Sequence, residues 1–278
     1  MPTQTEKALA FRALHARPGV FIIPNPWDAG SARLLSSLGF EALATTSAGH
    51  AFALGRRDGD GGVGRAETLA NARAIVEATD LPVSADLENG FGDDPESAAE
   101  TIRAAAAVGL AGGSIEDASG DAARPIYDLS LAVERVAAAV EAARALKVPF
   151  VLTARAENFL HGRPDLEDTI RRLQAFEKAG AEVLYAPGLT QLDQIRTLCS
   201  SVSRPVNVVM GLVGGAFSVQ QLAEAGVKRI SLGSSLARAA LGALVRAARE
   251  IRQEGTFGFA AQAIPFAEIN RQMRPKGA

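Results

Sequence analysis

Acidic residues at two neighbouring points of the chain could hold a divalent cation. Asp86 and Glu88 lie two residues apart in a segment typical of a strand, so their side chains point to the same face. Glu116 ends the next such segment. Carboxylates that share a small volume raise each other's pKa unless a cation neutralises them, and an oxygen-only ligand set favours Mg2+ or Mn2+ over Zn2+. Ion pairs with arginines are the alternative interpretation of these acids.

An arginine follows at the end of the next strand pattern along the chain. Arg155 lies in the segment Leu152–Glu157, close to the acids in the predicted order of strands. Its planar guanidinium could clamp a substrate carboxylate or stabilise a developing enolate oxygen. A buried structural pairing with Glu157 or Glu116 is the other interpretation, and the two roles are compatible.

The remaining reactive side chains narrow the chemistry. None of the five lysines falls at the end of a predicted strand, which excludes a Schiff-base aldolase. The single cysteine, Cys199, lies on a predicted helix and is expected to be a small buried hydrophobe. His50 and His161 lie in loops on the predicted catalytic side, and His50 is the better candidate for moving protons. The glycine-rich loop at 59–64 lacks a following lysine, so it predicts a mobile flap.

Eight short apolar segments must position these residues, and a helical pattern follows each of them. The predicted strands are Val20–Pro24, Ala42–Ser47, Pro82–Glu88, Gly113–Asp117, Phe150–Glu157, Glu182–Ala186, Pro205–Met210 and Arg229–Gly233. The predicted helices are Ala29–Leu38, Ala66–Thr79, Glu96–Val108, Leu131–Leu146, Leu166–Ala179, Gln191–Ser200, Val219–Ala225 and Leu236–Arg252. Eight such units in 278 residues predict an α/β fold, a TIM (β/α)8 barrel that forms a single domain over residues 1–278.

Both ends of the chain extend this barrel. Residues 3–15 predict an extra N-terminal helix across the barrel floor. The tail from Glu254 onward predicts a C-terminal helical extension that packs against a neighbouring subunit, so we expect a homo-oligomer, a dimer or a tetramer. Because chemistry in such barrels takes place at the carboxyl ends of the strands, Asn207 on the seventh strand is a candidate for substrate binding.

Composition restricts the partners. With 29 basic and 31 acidic residues the formal net charge is -2, which disfavours nucleic acid as a partner. No apolar run reaches membrane-spanning length, so no membrane partner is expected. A lone cysteine and the lack of a signal-peptide pattern predict a cytoplasmic location.

Several motifs together resemble the isocitrate lyase and phosphoenolpyruvate mutase superfamily, from about Asn25 to about Ala243. The segment 84–92, which reads Ser-Ala-Asp-Leu-Glu-Asn-Gly-Phe-Gly, is similar to the family's acidic metal motif. The other matching segments are 25–32, 45–49, 115–117, 153–155 and 217–226.

The resemblance implies a role for each matching residue. Asp86 would ligate Mg2+ directly, while Asp58, Glu88 and Glu116 would hold its water molecules. Ser47, Ala48 and Gly49 would present a hydroxyl and backbone donors to the substrate carboxylate, which Arg155 would bind from the other side. Members of the family stabilise an enolate of pyruvate or of a related 2-oxo acid. The catalytic candidates are accordingly Arg155, Asp58, Glu116 and His50.

The chain departs from these relatives in the loop after the fourth strand. Isocitrate and methylisocitrate lyases carry a Lys-Cys-Gly-His motif there, and the phosphonate-cleaving members carry a lysine and an asparagine. Residues 118–127 contain none of the lysine, cysteine or asparagine of these motifs, and the glutamate that the lyases carry after strand six is replaced by Gly188. The expectation is therefore a lyase acting on a small 2-oxo or 2-hydroxy acid, by oxaloacetate decarboxylation or weak methylisocitrate-type cleavage. A carbon–phosphorus bond mutase or hydrolase and a non-catalytic 2-oxo acid binder are the alternatives.

Overall fold

Eight parallel strands form the centre of the molecule. The computed structural model describes residues 2–59, 61–211 and 217–274. The strands are β1 Phe21–Ile23, β2 Leu43–Ala44, β3 Val83–Asp86, β4 Gly112–Glu116, β5 Val151–Arg155, β6 Val183–Tyr185, β7 Val206–Val209 and β8 Arg229–Ser231. They pair in the order β1-β8-β7-β6-β5-β4-β3-β2. A backbone hydrogen bond of 3.0 Å from Ala44 N to Pro24 O links the two ends of this order. The prediction of a TIM barrel is confirmed.

Helices surround the strands at close to the predicted positions. They are α1 Gln4–Ala16, α2 Ala29–Ser37, α3 Ser47–Ala53, α4 Arg65–Glu77, α5 Pro95–Ala107, α6 Leu129–Arg144, α7 Leu166–Ala179, α8 Leu192–Ser200, α9 Val219–Glu224, α10 Ser235–Glu254 and α11 Phe266–Gln272, with a 3-10 helix at Gly258–Gln262. Helix α3 was not predicted, and the second strand ends earlier than expected. Thr46 turns the chain there because its side-chain oxygen caps the new helix at the Gly49 N–H.

Helix α1 closes the floor of the barrel, as the sequence predicts. A capping box between Thr3 and Glu6 starts the helix. Phe11 and Leu14 pack with Phe21 and other buried residues at the amino-terminal ends of the strands. His15 lies between the rings of Phe11 and Phe21, and burial lowers its pKa to about 3, helped by the nearby Arg229 charge. Helix α1 therefore packs the floor of the barrel with apolar side chains.

The carboxyl-terminal part is a helical extension. Helix α10 has Ala237 as its one buried residue, and it exposes Leu241, Leu244 and Val245. Phe257 and Phe266 beyond it are also exposed. None of the described helices is long and apolar enough to cross a membrane.

Candidate active site

The acidic side chains and Arg155 meet at the carboxyl ends of three adjacent strands. Strand pairing sets Asp86 opposite Ser114 and Glu116 opposite Arg155. The chain then continues these pairings into the loops, since Glu116 N donates to Glu88 O over 3.0 Å. The sequence-based expectation that these groups converge is therefore realised by the register of β3, β4 and β5.

Arg155 binds three carboxylates with three different nitrogen atoms. Nη1 lies 2.8 Å from Asp86 Oδ1, Nη2 lies 3.0 Å from Glu116 Oε2, and Nε lies 2.9 Å from Glu157 Oε1. The guanidinium carbon lies 5.1 Å from the centre of the Tyr185 ring. These acids raise the pKa of Arg155 although its burial acts in the opposite direction. The ion pairs that the sequence offered as an alternative are thus present.

One guanidinium does not neutralise the whole group of acids. Burial raises the pKa of Glu88 to about 7, and the charges of Asp86 and Asp58 add to the effect. Burial also raises the pKa of Glu116, which Arg155 only partly offsets. The pKa of Asp58 is raised by partial desolvation and by Asp86, although its side chain stays open to solvent. More carboxyl groups therefore meet at this end of the barrel than one guanidinium can pair, and their raised pKa values mean that a cation bound there would displace protons.

The carboxylate oxygens of this group of acids suit a hard cation that keeps most of its water molecules. Within the described ranges, no three His, Cys, Asp or Glu side chains are placed to hold one metal ion directly. Mg2+ needs only one or two protein carboxylates because it retains several water molecules. A donor set of carboxylate oxygens from Asp86, Asp58, Glu88 and Glu116 thus suits Mg2+ better than Zn2+, which prefers His and Cys ligands.

Ser47, Ala48 and Gly49 border the acids from the start of α3. Ser47 Oγ donates to Asp86 Oδ2 over 3.0 Å. The Gly49 N–H donates to Thr46 Oγ1, so it serves the helix cap in this structure. A Cβ at Gly49 would lie 2.6 Å from Thr46 Cγ2, which explains why the position requires glycine. Ser47 and Ala48 line the cavity beside Asp86.

Two adjoining cavities open at this end. A cavity of about 160 Å³ reaches down from Ser47, Asp86 and Arg155 to Asn207 and Arg229. A wider one of about 1080 Å³ is lined by Asp58, Glu88, Glu116, Arg155 and the glycine-rich loop. Together they offer room for a small carboxylic acid. The predicted flap at 59–64 borders the wider cavity, and its Asp60 lies outside the described residues.

Asn207 lies on β7 as the register partner of Tyr185, and both ends of its amide are engaged. Its Nδ2 donates to Ser231 Oγ over 3.0 Å, and its Oδ1 accepts from Arg229 Nε over 2.8 Å. Arg229 also donates to Thr153 Oγ1 and forms no ion pair with the described residues. Asn207 therefore supports the floor of the small cavity. Sequence reasoning missed Arg229, for which the only signal was a cation at the start of an apolar strand.

The two loop histidines occupy different places. His50 lies on α3 beside Glu67 and Arg56 of the outer surface, its Nε2 is buried without a hydrogen-bond partner, and it is not among the residues that line the cavities. His161 lines the wider cavity together with Glu88, Glu116 and Ser119. The structure therefore places His161, and not the favoured His50, on the lining of the wider cavity. Cys199 lies away from the site, and burial raises its thiol pKa to about 11.

Comparison with known proteins identifies the family. The family model of phosphoenolpyruvate phosphomutase matches residues 11–252. The chain belongs to this family. A solved structure from Burkholderia cenocepacia J2315, of a protein assigned as a lyase/mutase, is 61% identical with a TM-score of 0.94, and the match covers 96% of this chain and 95% of that one. A second structure from the same organism, assigned as a phosphonomutase, is 36% identical with a TM-score of 0.81 and covers 91% of this chain and 100% of that one.

The chain is also similar to a curated protein that is named as a lyase. The 2-methylisocitrate lyase of Escherichia coli K12 is 30% identical over 257 residues, which are 89% of this chain and 85% of that protein. The resemblance to the isocitrate lyase and phosphoenolpyruvate mutase superfamily is thus confirmed. The predicted enzyme class, a carbon–carbon lyase of this superfamily, is confirmed as well.

In this member of the family the loop after β4 is a short closed hairpin. Ala118 and Ile126 form an antiparallel bridge, and Ser119 N donates to Pro125 O over 3.0 Å. Tyr127 N donates to Asp117 O over 2.8 Å at its base. Ser119 and Gly120 line the wider cavity, where the lyases would present their cysteine motif. The Ser119 hydroxyl donates to Arg124 O and accepts from Asp121 N within the hairpin, and residues 118–127 carry no thiol or amine.

Proposed function

We propose that this chain is a Mg2+-dependent carbon–carbon lyase that acts on a small 2-oxo or 2-hydroxy carboxylic acid. A 2-oxo acid such as oxaloacetate would lose CO2 and leave a pyruvate-type enolate, whereas a 2-hydroxy acid would give its hydroxyl proton to a base and leave the enolate on the departing fragment. The observation that carries the proposal is the group of acids around Arg155, since Asp58 and Glu88 join the three carboxylates that the guanidinium already pairs. A cluster of this kind at the carboxyl ends of barrel strands is a site for a cation and a chelating anion.

Asp86 would bind Mg2+ directly, and Asp58, Glu88 and Glu116 would hold its water molecules. Bound there, Mg2+ supplies Lewis-acid stabilisation of negative charge on the oxygens of the substrate. The protein's own groups orient the substrate. Ser47 presents its hydroxyl beside Asp86, 3.0 Å from Oδ2.

Arg155 would bind the substrate carboxylate or the developing enolate oxygen opposite Ser47. Its three carboxylate contacts and the Tyr185 ring fix the plane of the guanidinium before substrate arrives. A donor oriented in advance stabilises charge in the transition state without a cost of reorganisation at that moment. Arg155 therefore has both a structural and a chemical role in this proposal.

The proton that the enolate requires would come from the wider cavity. His161 and Ser119 line that cavity, which is open to solvent. Oxaloacetate decarboxylation makes the smallest demand on this step, because the stabilised enolate can take its proton from water. Substrates of the 2-methylisocitrate type, on which the Escherichia coli relative acts, make a larger demand.

A carbon–phosphorus bond mutase or hydrolase is the second candidate, favoured by the family model and the phosphonomutase relative. A phosphonate dianion needs cationic groups around it. Arg65 and Arg155 are the arginines among the residues that line the wider cavity, and Arg65 is paired with Glu100 at 2.8 Å. The hairpin 118–127 lacks the lysine and asparagine of the phosphonate-cleaving members, whereas oxaloacetate decarboxylation needs no group from it, which is why we place the lyase first.

A substrate panel tests the proposal. The purified protein is incubated with oxaloacetate, 2-methylisocitrate and phosphonopyruvate, each with Mg2+ and with excess chelator. Pyruvate, phosphoenolpyruvate and inorganic phosphate are measured, and the rates without protein are subtracted. Mg2+-dependent pyruvate release from a carbon–carbon substrate is expected. Turnover of phosphonopyruvate alone would establish the second candidate, and binding without turnover of any substrate would establish a non-catalytic 2-oxo acid binder.

We also propose that the chain forms a homo-oligomer. The apolar side chains that α10 and the residues beyond it expose, among them Leu244 and Phe266, support this. Whether the assembly is a dimer or a tetramer, and the cytoplasmic location, stay predictions.

A further inference from the structure

The loop between β3 and α5, which carries Glu88, has an unusual backbone. Glu88 has a φ of 48° and Phe91 a φ of 61°, and within the described ranges no other non-glycine residue has a positive φ. Gly90 between them has a φ of 82°. Left-handed backbone is unfavourable for residues with a Cβ, so surrounding contacts must impose it.

Arg135 of α6 supplies contacts that fix this loop. Its Nη1 donates to Gly92 O over 2.7 Å and to Asp94 O over 3.2 Å, and its Nη2 donates to Asn89 O. The side chain is 1% exposed, and it forms no ion pair with the described residues. Burial of a cation without a counter-charge costs free energy, and the hydrogen bonds to these carbonyls offset that cost. The same hydrogen bonds hold the loop in one conformation.

Tyr127 completes the contact from the other side. Its ring lies 4.5 Å from the Arg135 guanidinium carbon, its hydroxyl donates to Asp93 Oδ1 over 2.6 Å, and it accepts from Asn89 Nδ2 over 3.0 Å. Tyr127 is also the base of the hairpin 118–127, where its N–H donates to Asp117 O. One aromatic residue thus connects the hairpin to the loop that carries Glu88.

We propose that Arg135 and Tyr127 form a latch that holds the 88–94 loop in its left-handed shape and so aims Glu88 at the cation site. Both are positioning residues, since they act through the loop and do not line the two cavities of the site. Through Tyr127 the latch also couples the position of the hairpin 118–127 to that of the 88–94 loop. This inference rests on the magnesium site of the proposed function.

Three variants separate the contributions of the latch. Arg135→Lys keeps the charge, but one ammonium cannot span three carbonyls. Tyr127→Phe keeps the ring under Arg135 and removes both hydroxyl contacts. Val136→Ala, one residue along α6, is the matched control, because Val136 is 3% exposed in the barrel core and its truncation lowers stability without touching the loop.

Two measurements are made on each folded protein: the dissociation constant of Mn2+, and amide hydrogen exchange of residues 88–93 without metal. Arg135→Lys should weaken Mn2+ binding about 10-fold or more and speed exchange in the loop, as expected for a residue that orients metal ligands. Tyr127→Phe should weaken binding about threefold, the loss of ordinary hydrogen bonds. Val136→Ala should lower the melting temperature and leave both readouts unchanged.

Wild-type Mn2+ affinity and wild-type exchange in folded Arg135→Lys overturn the latch, and so does an equal change in Val136→Ala, which would indicate general softening. If Arg135→Lys does not fold, Tyr127→Phe decides by the same two readouts. If the wild-type protein binds no Mn2+, the proposed magnesium site is wrong, and the exchange measurement alone decides the latch.

Discussion

Glu116 and Arg155 are register partners on adjacent parallel strands, and their side chains form an ion pair with Nη2 3.0 Å from Oε2. Because strand pairing fixes both Cβ positions, the pair needs no loop to bring it together. Asp86 joins the same guanidinium from β3. Three consecutive strands therefore build the site from their last residues, which makes its geometry a property of the barrel.

Replacement of Arg155 by lysine should not be conservative. The three nitrogens bind Asp86, Glu116 and Glu157 at once, which a single ammonium cannot reproduce. We expect kcat/KM to fall by an amount equal to about 2 to 4 kcal/mol of transition-state stabilisation. Steady-state kinetics measure it. A loss of tenfold or less, about 1.4 kcal/mol, would assign Arg155 to structure alone.

Asp86→Ala should abolish Mg2+ binding and turnover while the fold persists. The substitution removes one of the charges that raise the pKa of Glu88, and relief of this repulsion offsets the lost contacts with Arg155 and Ser47. Calorimetric titration with Mg2+ and a thermal melt are the measurements. Asp121→Ala, in the exposed part of the hairpin, is the control and should bind Mg2+ normally. Full wild-type turnover in excess chelator would contradict the metal assignment.

The two histidines make a matched pair for the proton transfer. His161→Gln removes a side chain from the wider cavity, whereas His50→Gln removes one from the α3 surface near Glu67. We expect His161→Gln to lower kcat by about 10²-fold or more if the histidine supplies the proton, and His50→Gln to leave it near the wild-type value. A larger effect from His50→Gln would restore the assignment that the sequence favoured.

Sequence reasoning succeeded where the barrel itself determines position. Asp86, Glu116 and Arg155 follow from the alternation of side chains along strands and from the order of the strands. Loops are different, because hydrogen bonds that no periodicity records decide their paths. Thr46 starts an unexpected helix through its side chain, and this helix turns His50 away from the cavities.

Long-range polar contacts were also invisible in the sequence. Arg135 looks like an ordinary helix residue in a charged and apolar pattern, yet it is almost fully buried and binds a loop more than forty residues away. The same holds for Arg229, whose partners Asn207 and Thr153 lie on two other strands. Such contacts depend on which elements become neighbours, and that follows only from the closed barrel.

Acid should destabilise the fold through His15. Its pKa falls from about 6.5 to about 3 on folding, so the folded state keeps it neutral while the unfolded chain binds a proton as pH drops below 6.5. The contribution of His15 to the free energy of unfolding is therefore complete above pH 6.5 and is lost as pH falls toward 3. Between pH 7 and pH 5 the loss should be about 2 kcal/mol. Urea unfolding of wild type and His15→Asn at both pH values measures it. An identical pH dependence in the two proteins would contradict the assignment.

The hairpin 118–127 should decide which carbon–carbon bond the enzyme breaks efficiently. Cleavage of a methylisocitrate-type substrate requires a proton at C3 of the departing carbon skeleton, and the hairpin that fills the place of the lyase motif offers Ser119 but no cysteine. Positioned acid catalysis contributes about 10²-fold to 10⁴-fold, so 2-methylisocitrate should react more slowly than in a cysteine-bearing lyase by about that factor. Oxaloacetate decarboxylation should be slowed less, since water can protonate its enolate.

Both substrates are assayed on one preparation, with Ser119→Ala and His161→Gln beside the wild type. Methylisocitrate cleavage at the rate of a cysteine-bearing enzyme would mean that another group delivers the proton, and a selective loss of that reaction in one of the two variants would identify it.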